Sequence, residues 1–207
     1  MLSIVTTPIK KTVFLSIFAI SSASFGTSAI ADDADGNYAI RGSGAVNCQA
    51  FSDAAATGPD EASTYVRWIA GYLSGLNFYL DDTYDVSPFV LTSDIAIIVL
   101  EQCANKPNSS VENMTNRVVQ ILSPYRETAQ SDLTTIEFEG QSVDIRQAAM
   151  LRLQLILSAL GYYEGEADGL YGPGTRSALL AFQAAKDISK TGIPDRVTVL
   201  QLIGNAP

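Results

Sequence analysis

The sequence predicts an all-α protein built from two small helical domains. Apolar residues recur at intervals of three and four positions in seven segments, which is the pattern of amphipathic helices. A stretch without this pattern, residues 125–143, separates the first four segments from the last three. The charge changes at the same place: the excess of acids lies in Asp32–Val143, and six bases balance six acids from Asp144 onward. Such a break in composition indicates two units.

Residues 1–31 have the features of a secretory signal peptide. Lys10 and Lys11 precede an uncharged, mostly apolar stretch, Thr12–Gly26, and Ala29-Ile30-Ala31 fits a small-x-small cleavage site. The apolar stretch is shorter than the about 20 residues that a membrane-spanning helix needs. We therefore predict cleavage after residue 31, a periplasmic or secreted bacterial protein, and no membrane anchor after cleavage.

The predicted mature chain is strongly acidic. The full chain carries 13 bases and 22 acids, and loss of two lysines with the signal peptide changes its formal charge from −9 to −11. This sign disfavours nucleic acids and anionic membranes, both of which bind basic surfaces. The absence of histidine excludes Ser-His and Cys-His nucleophile pairs and the usual zinc ligand sets. A calcium site at Glu164, Glu166 and Asp168 is disfavoured because the EF-hand pattern is not met. We expect neither a cofactor nor a metal.

Four helices are expected within residues 45–124, after a flexible lead-in at residues 32–44. The first carries Cys48 and Phe51, and the second is long, with an apolar stripe at i, i+3, i+4 and i+7 spacing. Thr92 or Ser93 is suited to the N-cap of the third helix. The inward residues predicted for the second and fourth helices are Tyr65, Trp68, Ile69, Tyr72, Leu73, Leu76, Val111, Met114, Val118 and Ile121.

The long second helix contains two glycines four positions apart, Gly71 and Gly75. Glycines at this spacing let another helix approach closely. The alternative is a notch that accepts a ligand. We favour close helix packing.

The two cysteines, Cys48 and Cys103, both lie in the acidic half. In an exported chain an even pair usually forms a disulfide. The bond would span 55 positions and stabilise the fold by about 4 kcal/mol. The alternative, a reactive thiol, is disfavoured in an oxidising compartment. The first predicted domain is therefore a disulfide-linked helical bundle.

Residues 144–204 are predicted to form a module of three helices. Gly161 suits the C′ position that ends the first helix, Pro173 suits the first turn of the second, and Asp195 can cap the third. Between residues 125 and 143 we predict a linker, in which residues 134–138 form a short strand or an extended tether. The expected inward residues are Ala149, Leu153, Ile156, Leu157, Leu160, Ala178, Leu179, Phe182, Val199, Leu202 and Ile203.

The C-terminal sequence contains, in this order, Leu153, Gln154, Leu160, Gly161, Tyr162, Tyr163, Asp168, Gly169, Tyr171, Gly172, Pro173, Thr175, Arg176, Phe182, Gln183, Thr191, Gly192 and Asp195. With these residues it resembles the peptidoglycan-binding domain family, a three-helix module attached to many cell-wall hydrolases. One departure lies at Asp187-Ile188-Ser189, where the family often has a loop containing Gly-Leu. The resemblance implies the three-helix fold and binding of peptidoglycan through its sugars or its peptide stems.

Five residues of the module are candidates for contact with peptidoglycan. The rings of Tyr162, Tyr163 and Tyr171 offer flat faces with a polar tip, which suit sugars. Arg176 can donate a pair of hydrogen bonds to a stem carboxylate. Asp168 is the fifth candidate, and its alternative role is a hydrogen bond within the turn.

The acidic half contains, in this order, Cys48, Trp68, Gly71, Tyr72, Gly75, Leu76, Cys103, Lys106, Pro107, Val111 and Met114. With these residues it resembles small disulfide-linked helical periplasmic proteins, namely the HdeA-like acid-stress chaperones and the Tai-type immunity proteins. This resemblance implies binding of unfolded clients or of a toxin.

Taken together, these features predict an exported, non-catalytic cell-envelope protein. It would bind peptidoglycan through the C-terminal module and present the acidic domain to a protein partner. A periplasmic chaperone or toxin-immunity-like protein is the alternative. A peptidoglycan hydrolase with a carboxylate pair drawn from Glu61, Asp81 and Glu101 is disfavoured, because each fits a solvated acid and residues 45–124 are few for a glycan cleft.

Overall fold

Seven α-helices and one β-hairpin make up the part of the chain that the computed structural model describes, namely Asp33, Asp35 and residues 37–206. The predicted signal peptide and its cleavage site lie outside these residues. Contacts divide the chain into two units, Met1–Tyr38 and Ala39–Pro207. None of the described helices is both long and apolar enough to cross a membrane.

The described chain is mostly helical, as predicted, but the hairpin departs from a purely helical fold. The N-terminal half contains α1 (Cys48–Thr57), α2 (Pro59–Tyr79), α3 (Thr92–Ala104) and α4 (Val111–Leu122), with 3-10 helices at Gly42–Ala45 and Ser123–Tyr125. The hairpin consists of β1 (Leu133–Phe138) and β2 (Gln141–Arg146). The C-terminal helices are α5 (Gln147–Ala159), α6 (Pro173–Ala185) and α7 (Arg196–Gly204).

A disulfide joins α1 to α3, as the sequence predicted. It links Cys48 to Cys103, and both residues are buried. On α1, Phe51 stacks on Tyr65 of α2 with 4.5 Å between the ring centroids. The bond therefore lies inside the core of the N-terminal half, where it holds together helices that also pack through apolar side chains.

The predicted apolar faces are confirmed at every position but one. All the other predicted inward residues belong to the core or pack against it. Ile121, however, is 57% exposed, and Leu122 is buried instead. Both residues lie one turn beyond Val118, at i+3 and i+4, so the helical period alone allows either to face inward.

Three of the predicted helix termini are confirmed and one is shifted. Gly161 follows Leu160, the C-cap of α5, and has a φ of 79°. Asp195 caps α7, where its carboxylate accepts a hydrogen bond from the N–H of Thr198 at 2.9 Å. Pro173 is the first residue of α6. At α3, the predicted N-cap of Thr92 or Ser93 is wrong, because the helix already begins at Thr92 and Leu91 occupies the capping position without a side-chain hydrogen bond.

Close helix packing at Gly71 and Gly75 is also contradicted. A Cβ atom added at either glycine of α2 would meet no atom within 4 Å. Both glycines thus face open space. The spacing alone could not reveal this, because it does not say which side of the helix faces a neighbour.

Trp68 of α2 packs over the 3-10 helix Gly42–Ala45. Its indole Nε1 donates a hydrogen bond to the carbonyl of Arg41 at 2.7 Å. A Cβ atom added at Gly44 would lie 1.9 Å from the indole ring. The backbone and the ring therefore approach more closely than any side chain at residue 44 would permit.

We expect Gly44→Ala to lower the free energy of unfolding by about 1–3 kcal/mol, the usual cost of overpacking. Gly71→Ala is the matched control, since its added methyl group meets no neighbour and should stabilise the helix by about 0.5–1 kcal/mol. Urea unfolding of both variants measures the difference. A Gly44→Ala protein as stable as the wild type would contradict the packing of Trp68 over this turn.

A β-hairpin occupies much of the predicted linker, and residues 134–138 adopt the strand that was one of the two alternatives. The strands pair in antiparallel fashion around the turn residues Glu139 and Gly140, whose φ values of 50° and 78° are typical of a type I′ turn. Ile136 and Ile145 are buried and join the hydrophobic core. The hairpin is thus packed into the unit of residues 39–207.

Glu127 and Arg146 connect the hairpin with the N-terminal half. Glu127 is buried, and its backbone N–H donates to the carbonyl of Asp85 at 2.9 Å. Its carboxylate lies 3.9 Å from Nε of Arg146 and accepts a hydrogen bond from Ser131. Burial raises the pKa of Glu127, and the hydrogen bond from Ser131 and the charge of Arg146 offset part of that rise.

We expect the stability of the wild type relative to Glu127→Gln to increase as the pH falls from 7 to about 4. A carboxyl whose pKa is raised by folding binds its proton more tightly in the folded state. Its stabilising contribution is complete below the unfolded pKa of about 4.3 and is lost as the pH rises through the folded pKa. Glutamine does not titrate and lacks this dependence.

Urea unfolding at several pH values measures this shift. Glu137→Gln on β1 is the control, since this carboxyl is exposed and its replacement should produce no comparable shift. A difference between wild type and Glu127→Gln that stays constant with pH would contradict the raised pKa.

Candidate functional site

A fully buried glutamine of α5 fixes the loop that leads to α6. Nε2 of Gln154 lies 3.1 Å from Oδ1 of Asp168, 3.0 Å from the carbonyl of Leu170 and 2.9 Å from the hydroxyl of Thr175. Oε1 accepts hydrogen bonds from the N–H groups of Asp168 at 3.0 Å and Gly169 at 2.8 Å. One amide group thus satisfies several polar groups that the fold removes from water.

Gln183 of α6 plays the same part in the loop that leads to α7. Its Nε2 donates to the hydroxyl groups of Thr191 at 2.8 Å and Thr198 at 2.9 Å, and to the carbonyl of Ile193 at 3.1 Å. Its Oε1 accepts from the N–H of Gly192 at 2.9 Å. Like the glutamine of α5, it is fully buried.

The three-helix module therefore repeats one arrangement twice. Each time, a buried glutamine holds a turn glycine with positive φ, 75° at Gly169 and 67° at Gly192. Each time, it also bonds a threonine in the first turn of the following helix, Thr175 or Thr198. The network of Gln154 fixes the loop between α5 and α6, which carries four of the five candidate site residues. The network of Gln183 fixes Gly192, whose carbonyl accepts a hydrogen bond from Tyr171.

Tyr162 and Tyr163 lie just after α5 and are half-buried. The ring of Tyr162 meets Phe182 edge to face, with 5.4 Å between the centroids. The hydroxyl of Tyr163 donates to the carbonyl of Glu166 at 3.0 Å. The Tyr163 ring also covers Gly165, where an added Cβ would come within 2.7 Å of it. Both rings brace the loop and keep part of their surface exposed.

Tyr171 and Arg176 lie where the module meets the hairpin. The hydroxyl of Tyr171 donates to the carbonyl of Gly192 at 2.8 Å, and burial raises the pKa of Tyr171. The guanidinium carbon of Arg176 lies 4.9 Å from the centroid of the Phe138 ring on β1. Stacking of this kind orients the guanidinium and leaves its planar edge able to donate hydrogen bonds.

The carboxylate of Asp168 takes part in the turn. Its Oδ1 accepts hydrogen bonds from the N–H of Leu170 at 2.8 Å and from Gln154. Both bonds lower the pKa of Asp168, that from the backbone most strongly. The side chain therefore makes the local hydrogen bonds that were its alternative role, although it remains exposed.

The candidate hydrolase carboxylates are not brought together on α2. Glu61 lies in its first turn and Asp81 beyond its last residue, Tyr79. At 1.5 Å per residue the helix separates them by about 27 Å, whereas glycosidase carboxylates lie about 5–9.5 Å apart. Glu101 forms an ion pair with Arg196 at 2.9 Å. Within the described residues, no cluster of three or more acids or cysteines is placed to hold a metal ion.

The C-terminal module also matches a known family. Residues 146–202 match the family described as "Putative peptidoglycan binding domain". Residues 146–202 are a domain of this family. The peptidoglycan-binding domain comprises α5, α6 and most of α7, whereas nearly all of the hairpin and the whole N-terminal half lie outside the match. The peptidoglycan-binding domain and the disulfide together indicate an envelope or extracellular location.

Comparison with individual proteins covers less of the chain. "Putative OxPP cycle protein OpcA" of Synechococcus elongatus is 49% identical over 45 residues, which are 22% of this chain and 10% of that protein. The aligned part thus spans about a tenth of the relative's length. No solved structure matches significantly. The resemblance of the N-terminal half to HdeA-like and Tai-type proteins stays a prediction.

The structure places all five candidate residues on α6 or on the loop before it. The hydroxyl groups of Tyr163 and Tyr171 and the carboxylate of Asp168 bond within the protein, so each has a structural role. Gln154 and Gln183 had matched the family pattern without an assigned role. The sequence could have indicated this role, because both glutamines lie on apolar helix faces. A glutamine buried on such a face needs hydrogen-bond partners within the protein.

Proposed function

We propose that this protein is an exported, non-catalytic envelope protein that binds peptidoglycan through residues 144–204. The observation that carries the proposal is the family match over residues 146–202. In this proposal the acidic helical domain, residues 45–124, is presented to a protein partner in the periplasm. The charge of −11 predicted for the mature chain favours a partner with a basic surface.

Sedimentation with isolated peptidoglycan sacculi tests the proposal. The chain from Asp32 onward is incubated with sacculi and centrifuged, and both the pellet and the released muropeptides are assayed. We expect protein in the pellet and no released fragments. Protein that stays in the supernatant would contradict peptidoglycan binding, and released fragments would contradict the non-catalytic role.

Within the domain, we propose that Tyr162, Tyr163 and Arg176 contact the ligand while Asp168 and Tyr171 hold the loop in place. Support comes from the exposed ring surface of the two tyrosines and from the stacked guanidinium. Arg176→Lys keeps the charge but loses the planar pair of donors. We expect it to weaken retention on sacculi about tenfold, the effect of one charge-assisted hydrogen bond. Unchanged retention would remove Arg176 from the site.

The buried disulfide of the acidic half favours a second candidate, a chaperone or toxin-immunity-like protein. Opening the bond between Cys48 and Cys103 should release a partner bound by the helices it joins. Binding to sacculi should persist, because no residue of the peptidoglycan-binding domain takes part in the disulfide. Affinity capture of a partner on the immobilised protein, with and without reductant, measures whether partner binding depends on the disulfide. Capture that survives reduction would contradict this candidate.

A further inference from the structure

A groove of about 420 Å³ opens between the peptidoglycan-binding domain and the rest of residues 39–207. Three segments line it: the beginning of α3, strand β2, and the chain from the loop after α6 to the beginning of α7. Its volume lies in the range of about 300–1,000 Å³ that is usual for ligand pockets. None of the five candidate residues of the domain lines it.

One wall of the groove is the outer edge of the hairpin. Gln141, Ser142 and Val143 of β2 line the groove, and no residue of β1 does. Phe138 and Gln141 close a two-residue turn, and bonded and non-bonded pairs alternate from there along an antiparallel ladder. The N–H and C=O of Ser142 therefore point away from β1. A strand edge of this kind can hydrogen-bond the amide groups of a peptide.

The other walls carry charge of mainly one sign. Asp94 and Asp195 line the groove together with Arg196. The guanidinium of Arg196 forms ion pairs with two carboxylates. Its Nε lies 3.7 Å from Oδ1 of Asp94, and its Nη1 lies 2.9 Å from Oε1 of Glu101. Two acids and one base line the groove, and this net negative charge favours a ligand that carries an amine.

The apolar part of the lining is aliphatic. Leu91 and Val197 are 48% and 45% exposed at the groove, and Ile188 lies between the domain's second and third helices. The lining contains no aromatic ring, and so lacks the flat faces that would suit sugars. The aliphatic side chains of the groove instead suit the methyl groups of small side chains on a peptide.

We propose that this groove binds the peptide stem of peptidoglycan. The amide groups of the stem lie against the Ser142 edge, its small side chains against the aliphatic wall, and the free amine of its diamino acid beside Asp94 and Asp195. The inference rests on the proposed binding of peptidoglycan. It adds a second contact surface, built in part by α3 and the hairpin, which the family match does not include.

Calorimetric titration of the chain from Asp32 onward with a soluble stem tetrapeptide tests the inference. The tetrapeptide has a free side-chain amine on its third residue. We expect acetylation of that amine, or Asp94→Asn, to weaken binding about tenfold, as for one charge-assisted hydrogen bond. Ser142→Pro removes the outward N–H without removing a ladder bond and should weaken binding to a similar extent. Glu137→Gln, on the strand that does not line the groove, is the control and should bind like the wild type.

The outcomes separate this inference from the proposed function. Sedimentation with sacculi but no binding of the tetrapeptide would overturn the groove and leave the function standing. Binding unaffected by Asp94→Asn and Ser142→Pro, in variants whose thermal unfolding matches the wild type, would also overturn it. Binding of an N-acetylglucosamine oligosaccharide in place of the peptide would overturn the choice of ligand. Absence of both interactions would overturn the groove and the proposed function together.

Discussion

Replacement of Cys48 and Cys103 together by alanine is expected to lower the free energy of unfolding by more than the about 4 kcal/mol that the crosslink contributes. The bond spans 55 positions, and a crosslink over that distance removes many conformations from the unfolded chain. Both residues are buried, so loss of the two sulfur atoms from the core adds to this effect. Urea unfolding of the double variant and of the oxidised wild type measures the difference.

The reduced wild type is the matched control for this variant. Its sulfur atoms are retained, so its loss of stability reports the crosslink without the cavity. We expect it to fall between the oxidised wild type and the double variant. A double variant within about 1 kcal/mol of the oxidised wild type would show that the helices α1 and α3 need no crosslink, contrary to the chain-entropy argument.

Gln154→Leu is expected to lower the free energy of unfolding by about 3 kcal/mol or more. The substitution removes the acceptor of two backbone N–H groups, at Asp168 and Gly169, and the donor to the carbonyl of Leu170. Each buried polar group left without a partner costs about 1–3 kcal/mol. The N–H groups of the turn should also exchange with solvent faster than in the wild type.

Gln201→Leu on α7 is the matched control, because this glutamine is exposed. Its effect should stay within about 0.5 kcal/mol. Urea unfolding measures both variants, and hydrogen exchange followed by NMR reports the turn. Equal stabilities of the two variants, or unchanged exchange at Gly169, would contradict the role assigned to the buried amide.

The helices and all but one of the expected helix ends, the N-cap of α3, could be predicted because their signals are local. The apolar stripe of α2, the proline that begins α6 and the aspartate that caps α7 act through neighbours within about one turn of the chain. The error at Ile121 arose where two adjacent positions satisfied the same period. The choice between Ile121 and Leu122 depends on the direction from which the rest of the core approaches α4.

The sequence predicted which loop and which helix carry the five candidate residues, but not the hydrogen bonds that these residues make. All five residues fall on the loop and helix that the sequence indicated, since their positions follow from the order of the turns. The bonds of Tyr163 to Glu166 and of Tyr171 to Gly192 depend on how loops distant in sequence fold over one another. The sequence therefore indicated the positions of the candidate residues but not which of them bond within the protein, and their contact with peptidoglycan stays a prediction.

The sequence by itself determined the mostly helical character, the disulfide and the peptidoglycan-binding domain of this protein. The helices and the domain follow from residue spacing. The disulfide follows because two cysteines can pair in only one way. Only the tertiary structure decided how the hairpin packs, which way Gly71 and Gly75 face, and that α3, β2 and the beginning of α7 enclose a groove. Those features depend on which surfaces meet across long stretches of chain, and local periodicity carries no information about the partner of a surface.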